Sequence, residues 1–393
     1  MIAIKNKQDC CGCEACYNAC PENCIRMEFD EEGFKFPQVD SDKCINCKKC
    51  INVCPIINKK AIVNEIKEGY AAINKYDNIR LQSSSGGVFS ALATHMLEDG
   101  GVVVGCAMTE DCKKAQHIVV EDPDDLIKLY GSKYIQSEIN KIYLDVKLRL
   151  ERNQKVLFSG TPCQVEGLKS FLGKRYDNLI CIDLICHGVP SPLLWKSNAE
   201  HIEKKKHLKL TAVNFRCKKY GGHSEYGVSY GKNRKMYYQP KEVDSYFQFF
   251  LKDISLRKSC YDCRFKGIER VSDITLGDFW GIEDYAPDLN DGKGSSIVVI
   301  HSKKGKATFE AIISSLDVEQ VDVDVVFANH NKAMCESSRM PNERSDFWKD
   351  YQKRAYKQLR KKYAHVSMKT RLKIILKRIG LLDNIRQRRK SRG

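Results

Sequence analysis

Two cysteine runs near the start of the chain limit what it can fold into more than any other feature. They read Cys10-x2-Cys13-x2-Cys16-x3-Cys20-Pro21 and Cys44-x2-Cys47-x2-Cys50-x3-Cys54-Pro55. A cubane iron–sulfur cluster needs four thiolates around one small volume. A CxxCxxC turn delivers three of them, and the fourth cysteine of each run is sent to the other cluster. The spacing therefore assigns Cys10, Cys13, Cys16 and Cys54 to one [4Fe–4S] cluster, and Cys20, Cys44, Cys47 and Cys50 to a second. A zinc site would use two CxxC pairs instead. Cys11 and Cys24 are surplus, and the spacing from Cys11 to Cys13 is wrong for a ligand, so Cys11 reads as a bystander.

This internal repeat occupies residues 1–60 and resembles a two-cluster ferredoxin domain. Such a domain is a one-electron wire and does not say what sits at either end. At 393 residues the chain has room for further domains, and 42% hydrophobic residues can build their cores. Nineteen cysteines in a chain this long do not suit a small disulfide-stapled secreted fold. The opening MIAIKNKQDCCGC has no apolar signal core, and no apolar run approaches the ~18 residues of a membrane span. The expectation is a cytoplasmic protein whose thiolates bind metal. The net charge of +16 is uneven: seventeen Lys or Arg stand against Asp350 and Asp383 from Lys349 to Gly393. The body is nearly neutral, which argues against a fold built for nucleic acid.

Beyond a linker with helical flavour at 56–68, strands and helices alternate. Strands are expected at Tyr70–Ile73, Val102–Gly105, Lys155–Ser159, Leu179–Cys186, Ile274–Leu276 and Ser296–His301, with a helix from Lys306 to Ser315. Ser85-Gly86-Gly87 turns into a helix whose inner face is Val88, Leu92, His95 and Met96. In GTPCQVEGLKSFL, Thr161 is the N-cap, Pro162 the first helical residue, and Val165, Leu168, Phe171 and Leu172 the apolar face. A helix N-terminus lowers a thiol's pKa, so Cys163 reads as a nucleophile, a metal ligand or a small core residue. The glycine turns at Gly86-Gly87, Gly131-Ser132-Lys133 and Gly160-Thr161 suit phosphate or an ordinary tight turn. None fits GxGxxG or GxxxxGK[ST]. Cys260-x2-Cys263 reads as a redox pair or half a zinc site. Together with Cys163 and Cys186, two more cysteines at strand ends, it can also close a third cluster. Cys181 lies within an apolar strand and reads as core, while Cys106, Cys112, Cys217 and Cys335 are within strands or isolated.

Five stretches taken together, SGGVFSAL (85–92), YGSKY (130–134), GTPCQVEGLK (160–169), CHGVPSP (186–192) and CYDCRFKGIERVSDITLGDFWG (260–281), resemble the beta subunit family of coenzyme F420-reducing hydrogenase and F420-dependent dehydrogenases. That family also holds formate dehydrogenase beta subunits, the oxidase half of an F420-dependent sulfite reductase, and hydroxymethyl chlorophyll a reductase. The likeness spans about residues 70–330, and a ferredoxin pair in front is a common fusion in the family. It implies FAD bound next to a [4Fe–4S] cluster held by Cys163, Cys186, Cys260 and Cys263. It also implies that Ser85, Gly86, Gly87, Gly131, Ser132, Lys133 and Tyr134 line the flavin, with Lys133 toward its phosphate or ring oxygens and Gly160 and Thr161 beside it. A flavin belongs between a hydride donor and iron–sulfur clusters because it handles electrons both paired and singly.

The implied activity is a flavin-dependent iron–sulfur oxidoreductase linking a hydride donor or reducible substrate to a ferredoxin-type partner. Members similar to this chain, with a ferredoxin front and a basic extension, also occur in surface-polysaccharide gene clusters, which implies a role there. The other reading is a non-catalytic electron carrier feeding a partner enzyme. His187, Asp278 and Lys133, with His223, are the candidate catalytic groups, each with a plain structural hydrogen bond as the alternative; Arg270 and Asp273 are expected to pair. The expected architecture is α+β to α/β. It comprises the ferredoxin domain (1–60), a mixed α/β flavin-binding domain in two parts (61–150 and 151–335), and a basic helical tail (336–393). From Met368 the tail places Leu372, Ile375, Leu376 and Ile379 on one helical face flanked by Arg371, Lys373, Lys377 and Arg378. Such a helix suits a peripheral anionic membrane surface, its own protein or, last of the three, nucleic acid.

Overall fold

The computed structural model describes residues 1–59, 62, 64–219, 222–232, 235–368, 372 and 374. In the first part, helix α1 (Ala15–Ala19), an antiparallel hairpin of β1 (Ile25–Phe29) and β2 (Lys35–Val39), and helix α2 (Lys49–Asn52) carry the two cysteine runs. Both runs coil in the same way. Gly12 (φ 70°) and Glu14 (φ 61°) in the first match Asn46 (φ 53°) and Lys48 (φ 60°) in the second, all in the left-handed region. Alternating left-handed residues curl each turn tightly enough to aim its cysteines at one side. Cys13, Cys16 and Cys50 are buried as a result.

The main body is an eight-stranded sheet. Its elements run, in chain order, β3 (Glu68–Asn74), α3 (Asp77–Gln82), α4 (Val88–Glu98), β4 (Val102–Met108), β5 (Ala115–Val120), α5 (Ile142–Glu151), β6 (Val156–Gly160), α6 (Pro162–Leu172) and β7 (Leu179–Leu184). The chain returns to the sheet later, with β11 (Ile274–Asp278), β12 (Ser296–Ile300), α9 (Lys303–Ala311), β13 (Leu316–Val321) and α10 (Val323–Asn329). The strand order is β13-β3-β12-β11-β7-β6-β4-β5. β11, β7, β6 and β4 run parallel, and β12 and β5 flank them antiparallel. The parallel strands are mostly apolar because both faces are covered, with Asp183 and Thr275 buried as a hydrogen-bonded pair between β7 and β11. Leu92 and Met96 of α4 and Phe309 of α9 pack on one face. Tyr143, Val146, Val165 and Leu168 of α5 and α6 pack on the other, with Cys181 fully buried among them.

Between β7 and β11 lie α7 (Pro192–Lys206), the antiparallel strands β8 (Ala212–Cys217), β9 (Gly227–Lys232) and β10 (Lys235–Pro240), and α8 (Ser245–Leu251). They share an aromatic core with α11 (Arg344–Lys353) and α12 (Tyr356–Tyr363): Trp195, Phe215, Phe247, Phe249, Phe347 and Tyr363 are all buried there. Residues 344–363 are thus built into the body, with their lysines on the outer face and Arg344 buried beneath them. The amphipathic pattern expected from Met368 onward lies, apart from Met368, Leu372 and Ile374, outside the described residues.

Three local expectations are corrected. The described residues of 56–68 form no helix; Asn64 instead makes a two-way bond with the backbone of Arg270, donating to its carbonyl (2.6 Å) and accepting from its N–H (3.0 Å). That pairing fixes Asn64 against the Arg270 loop. The helix expected at Lys306–Ser315 begins at Lys303 because Ser302 caps it, its Oγ accepting from Gly305 N at 3.1 Å. Arg270 and Asp273 do not pair. Arg270 donates to the carbonyls of Phe265 and Met334, while Asp273 accepts from Cys181 N (2.8 Å) and Ser302 Oγ (2.7 Å).

Candidate iron–sulfur centres and the adjoining polar site

Three cavities are each lined by one of the expected cysteine sets. Cys10, Cys13, Cys16 and Cys54 line the first, with Ile2 and Ile56 among its apolar walls. Cys20, Cys44, Cys47 and Cys50 line the second. The exchange of the fourth cysteine between the two runs is therefore present in the geometry. Cys163, Cys186, Cys260 and Cys263 line the third. Among the described residues no three His, Cys, Asp or Glu side chains close on a point that could hold a single ion.

The third set comes from the fold's crossing points. Cys163 starts α6 after β6, and Cys186 follows β7, so both stand at the carboxyl edge of the parallel strands, where open α/β sheets place ligands. Cys260 and Cys263 arrive on a short turn at Lys258–Asp262. The N-terminus of α6 is well defined: Thr161 N donates to Gln164 Oε1 at 3.0 Å, and Thr161 Oγ lies 3.2 Å from Cys163 Sγ. Gly160 and Thr161 therefore sit beside this cysteine set.

The expected low pKa of Cys163 is corrected. Its neighbour Cys11 and burial push the thiol well up, while Thr161 and Arg257 pull against them. Burial also pushes Cys186 up to about 12 and raises Cys260. Free thiols so placed are protonated and poor nucleophiles. Positive charge gathers around them. Lys266 Nζ donates to the carbonyls of Cys186 and Ala333, both at 2.5 Å, and the buried Arg270 donates only to carbonyls and the Met334 sulfur. The half-buried Lys266 and the buried Arg270, hydrogen-bonded to neutral groups, put positive charge beside a four-thiol cavity, which fits an anionic thiolate-bound cluster.

Cys11, expected to be a bystander, is buried and lines both the first and third cavities. Cys24 stands 3.3 Å from Cys20 Sγ at the second cavity.

Two of the glycine loops meet each other. Ser132 N donates to Ser84 Oγ at 2.7 Å, which joins the Gly131–Tyr134 loop to the Ser83–Gly87 loop. Ser85 Oγ donates to Ser295 O at 2.7 Å. Gly86 is a glycine for packing reasons, since a Cβ there would lie 2.4 Å from Ala72 O. Gly87 (φ +85°) turns the chain into α4. Lys133 Nζ points at its own loop, donating to Lys128 O (3.0 Å) and Tyr130 O (2.9 Å), and burial lowers its pKa to about 8. Tyr134 is packed against Phe215, Phe247 and Phe250, and its hydroxyl accepts from Arg216 at 3.2 Å.

Arg216 is the centre of a polar cluster at the same sheet edge. It pairs with Asp278, at the end of β11, at 2.8 Å and lies 3.3 Å from His223 Nδ1. His223 is 3.9 Å from Asp278 and stacks on Trp280 at 4.7 Å. Lys218 Nζ donates to Ser85 O at 2.8 Å. Burial drives Lys218 down to about 7 and His223 down to about 4. Arg216 Nε and His223 Nε2 are buried without a hydrogen-bond partner. Arg80 is already paired with Asp291 at 2.6 Å, but the unpartnered Arg216 Nε and His223 Nε2 beside the buried Arg216 and Lys218 suit an anionic ligand with ring acceptors. His187 stands apart from this cluster: it lines the third cavity, and its Nε2 meets Asp253 Oδ1 at 2.5 Å. Sequence reading missed Arg216 and Lys218. The signal was there in NFRCK, where two cations alternate on one side of a strand that begins apolar.

Comparison with known proteins follows the same division. Residues 70–143 and 153–325 match the N-terminal and C-terminal parts of the coenzyme F420 hydrogenase/dehydrogenase beta subunit. Residues 9–57 match a 4Fe-4S dicluster domain, and a second description of that kind matches residues 36–82. The coenzyme F420-dependent sulfite reductase of Methanocaldococcus jannaschii is 24% identical over 317 residues, or 77% of this chain. The chain spans about half the length of that relative, 46% of it. A chain of the F420-reducing [NiFe] hydrogenase complex from Methanosarcina barkeri aligns with a TM-score of 0.45 and 16% identity, over 70% of this chain and 87% of that one. Among the described residues no helix is long and apolar enough to cross a membrane.

Proposed function

As the chain belongs to the coenzyme F420 hydrogenase/dehydrogenase beta subunit family, with a 4Fe-4S dicluster domain in front, we propose that it is a flavin-dependent iron–sulfur oxidoreductase. It links a hydride donor or reducible substrate, through FAD and three [4Fe–4S] clusters, to a ferredoxin-type partner. The carrying observation is the third set of cysteines, Cys163, Cys186, Cys260 and Cys263, at the same sheet edge as the Arg216–Asp278–His223 cluster.

Bound at these places, the clusters supply one-electron and the flavin two-electron chemistry. The chain's own residues do the rest. Arg216 and Lys218 attract and hold the negative charge of a dinucleotide, and Arg80, paired with Asp291, braces the site beside them. Asp278 keeps Arg216 oriented at 2.8 Å. His223, held neutral by burial, offers a proton-exchanging nitrogen beside Trp280. The Ser83–Gly87 and Gly131–Tyr134 loops wall the site next to Arg216. Cys10, Cys13, Cys16 and Cys54, then Cys20, Cys44, Cys47 and Cys50, hold the two outer clusters. Cys47 is exposed, which gives an outside partner its point of access.

The test is anaerobic mixing of FAD-loaded protein with reduced F420 and, separately, reduced nicotinamide. The expected result is about one tightly bound FAD per chain and bleaching of the iron–sulfur absorbance by one of the donors, slowed in Asp278→Asn. Protein that holds no flavin and is bleached by neither donor would be an electron carrier and not an enzyme.

A further inference from the structure

We propose that Arg257 is a positioning residue shared by the first and third cysteine sets, a fixed positive charge that raises the reduction potential of both. The inference rests on the three-cluster reading above. Arg257 is only 1% exposed. Its side chain donates to Cys10 O (2.7 Å), Gln136 Oε1 (3.0 Å), Lys35 O (3.0 Å) and Cys10 Sγ (3.5 Å). None of these partners is a carboxylate. A guanidinium taken out of water needs a countercharge. The anion that answers it is the thiolate set it touches.

The same residue is tied to the third set. Its backbone carbonyl accepts from Cys260 N at 2.9 Å, and it immediately precedes the turn that carries Cys260 and Cys263. Its charge also reaches Cys163. On the other side, the first cysteine turn presses against the guanidinium: a Cβ on Gly12, which sits at φ +70°, would lie 2.9 Å from Arg257 Nη1. Gln136 locks the junction, accepting from Arg257 and donating to Cys11 O at 3.0 Å. The guanidinium lies over the Phe36 ring, 4.2 Å from its centroid, so little solvent screens it. One-electron reduction adds one negative charge beside this group and makes or breaks no bond. A positive charge and an N–H···S bond both favour the reduced form. The second set lies on the exposed loop around Cys47 and serves as the internal control.

The experiment is a redox titration followed by electron paramagnetic resonance on the anaerobically purified full chain, wild type beside Arg257→Gln and Arg257→Lys, with iron assayed in each. The wild type should hold ~12 iron per chain and show three signals. In Arg257→Gln with full iron, two of the three should become harder to reduce, the reduced-to-oxidised ratio falling about tenfold at the wild-type midpoint, or about 59 mV for one electron. The third signal should stay, and Arg257→Lys should recover most of the shift. Full iron with no shift would overturn the proposal and leave Arg257 a packing residue. If Arg257→Gln loses iron, Arg257→Lys decides: retained iron at wild-type potentials supports the charge role, and lost iron there too refutes it. A wild type with ~8 iron and two signals would instead remove the third cluster, and with it the reading on which the proposal stands.

Discussion

Gly167 lies one turn beyond Cys163 on α6, and its missing side chain is what lets the first cysteine set approach. A Cβ there would meet Cys13 Cβ at 2.8 Å, Cys13 Sγ at 3.0 Å and Tyr143 Oη at 3.1 Å. In an isolated helix Gly→Ala is stabilising by about 1 kcal/mol. Here Gly167→Ala should instead destabilise by roughly 1–3 kcal/mol through overpacking and lower the iron content, read by melting and iron assay. A rise in both would mean that Cys13 does not pack so closely on α6. At this scale the sequence spoke unevenly. The eight ferredoxin-type cysteines and their exchanged partners were legible because a cluster imposes spacing on contiguous residues. Cys163, Cys186, Cys260 and Cys263 stood out only as turn cysteines, since their convergence depends on which strand ends meet. Asp278 was singled out in its polar turn, but its partner Arg216 was not: the pair joins residues on β8 and β11, from different sheets, and no local pattern records it.

Among the elements, α6 depends on a buried polar relay that a sequence pattern cannot show. His117 on β5 shares a hydrogen bond with Ser159 O on β6 (3.0 Å) and another with Ser137 Oγ (3.1 Å). Gln164 on α6 donates to that same Ser137 Oγ (3.0 Å) while accepting from Thr161 N. The relay fixes the helix start where Cys163 sits. Burial lowers the His117 pKa to about 4 from an ordinary value of 6.5. The unfolded chain therefore binds a proton that the folded chain refuses between those values. This contribution is present in full above pH 6.5 and is lost as the pH falls toward 4. In urea unfolding at pH 7 and pH 5, wild type should lose more stability on acidification than His117→Gln, which keeps hydrogen-bonding groups but not the titration. Equal losses would mean that His117 is not held neutral. The alternation of strands and helices was readable, as was the Thr161–Pro162 helix start, since both rest on local chemistry. The helix expected at Lys306 was misplaced by three residues at its start because Ser302 offered an earlier cap. The segment 56–68 read as helical only until its tertiary partner, the Arg270 backbone, was visible.

For the whole molecule, the question is whether the dicluster part is docked or merely tethered. Glu32, from its hairpin, forms a buried two-pronged pair with Arg344 of α11, with Oε1 accepting from Nη1 at 2.9 Å and Oε2 from Nη2. Ser191 Oγ donates to Glu32 O at 2.6 Å. Arg257 adds its bonds to Cys10 and Lys35. These contacts tie the first sixty residues to the aromatic core and to α11, so a segment that looked like the start of a basic tail is part of the dock. Glu32→Gln strands the Arg344 charge and should cost roughly 3–5 kcal/mol, seen as an earlier urea midpoint with faster iron loss. An unchanged midpoint would mean a tethered, independent domain.

The central claim is that this fold gathers three cluster sites and a flavin in one chain. Iron, sulfide and flavin content of anaerobically purified protein, wild type beside Cys163→Ala, tests it most directly. The account predicts ~12 iron and about one FAD in the wild type, with about four iron lost in the variant. About 8 iron in both proteins and no flavin would contradict it.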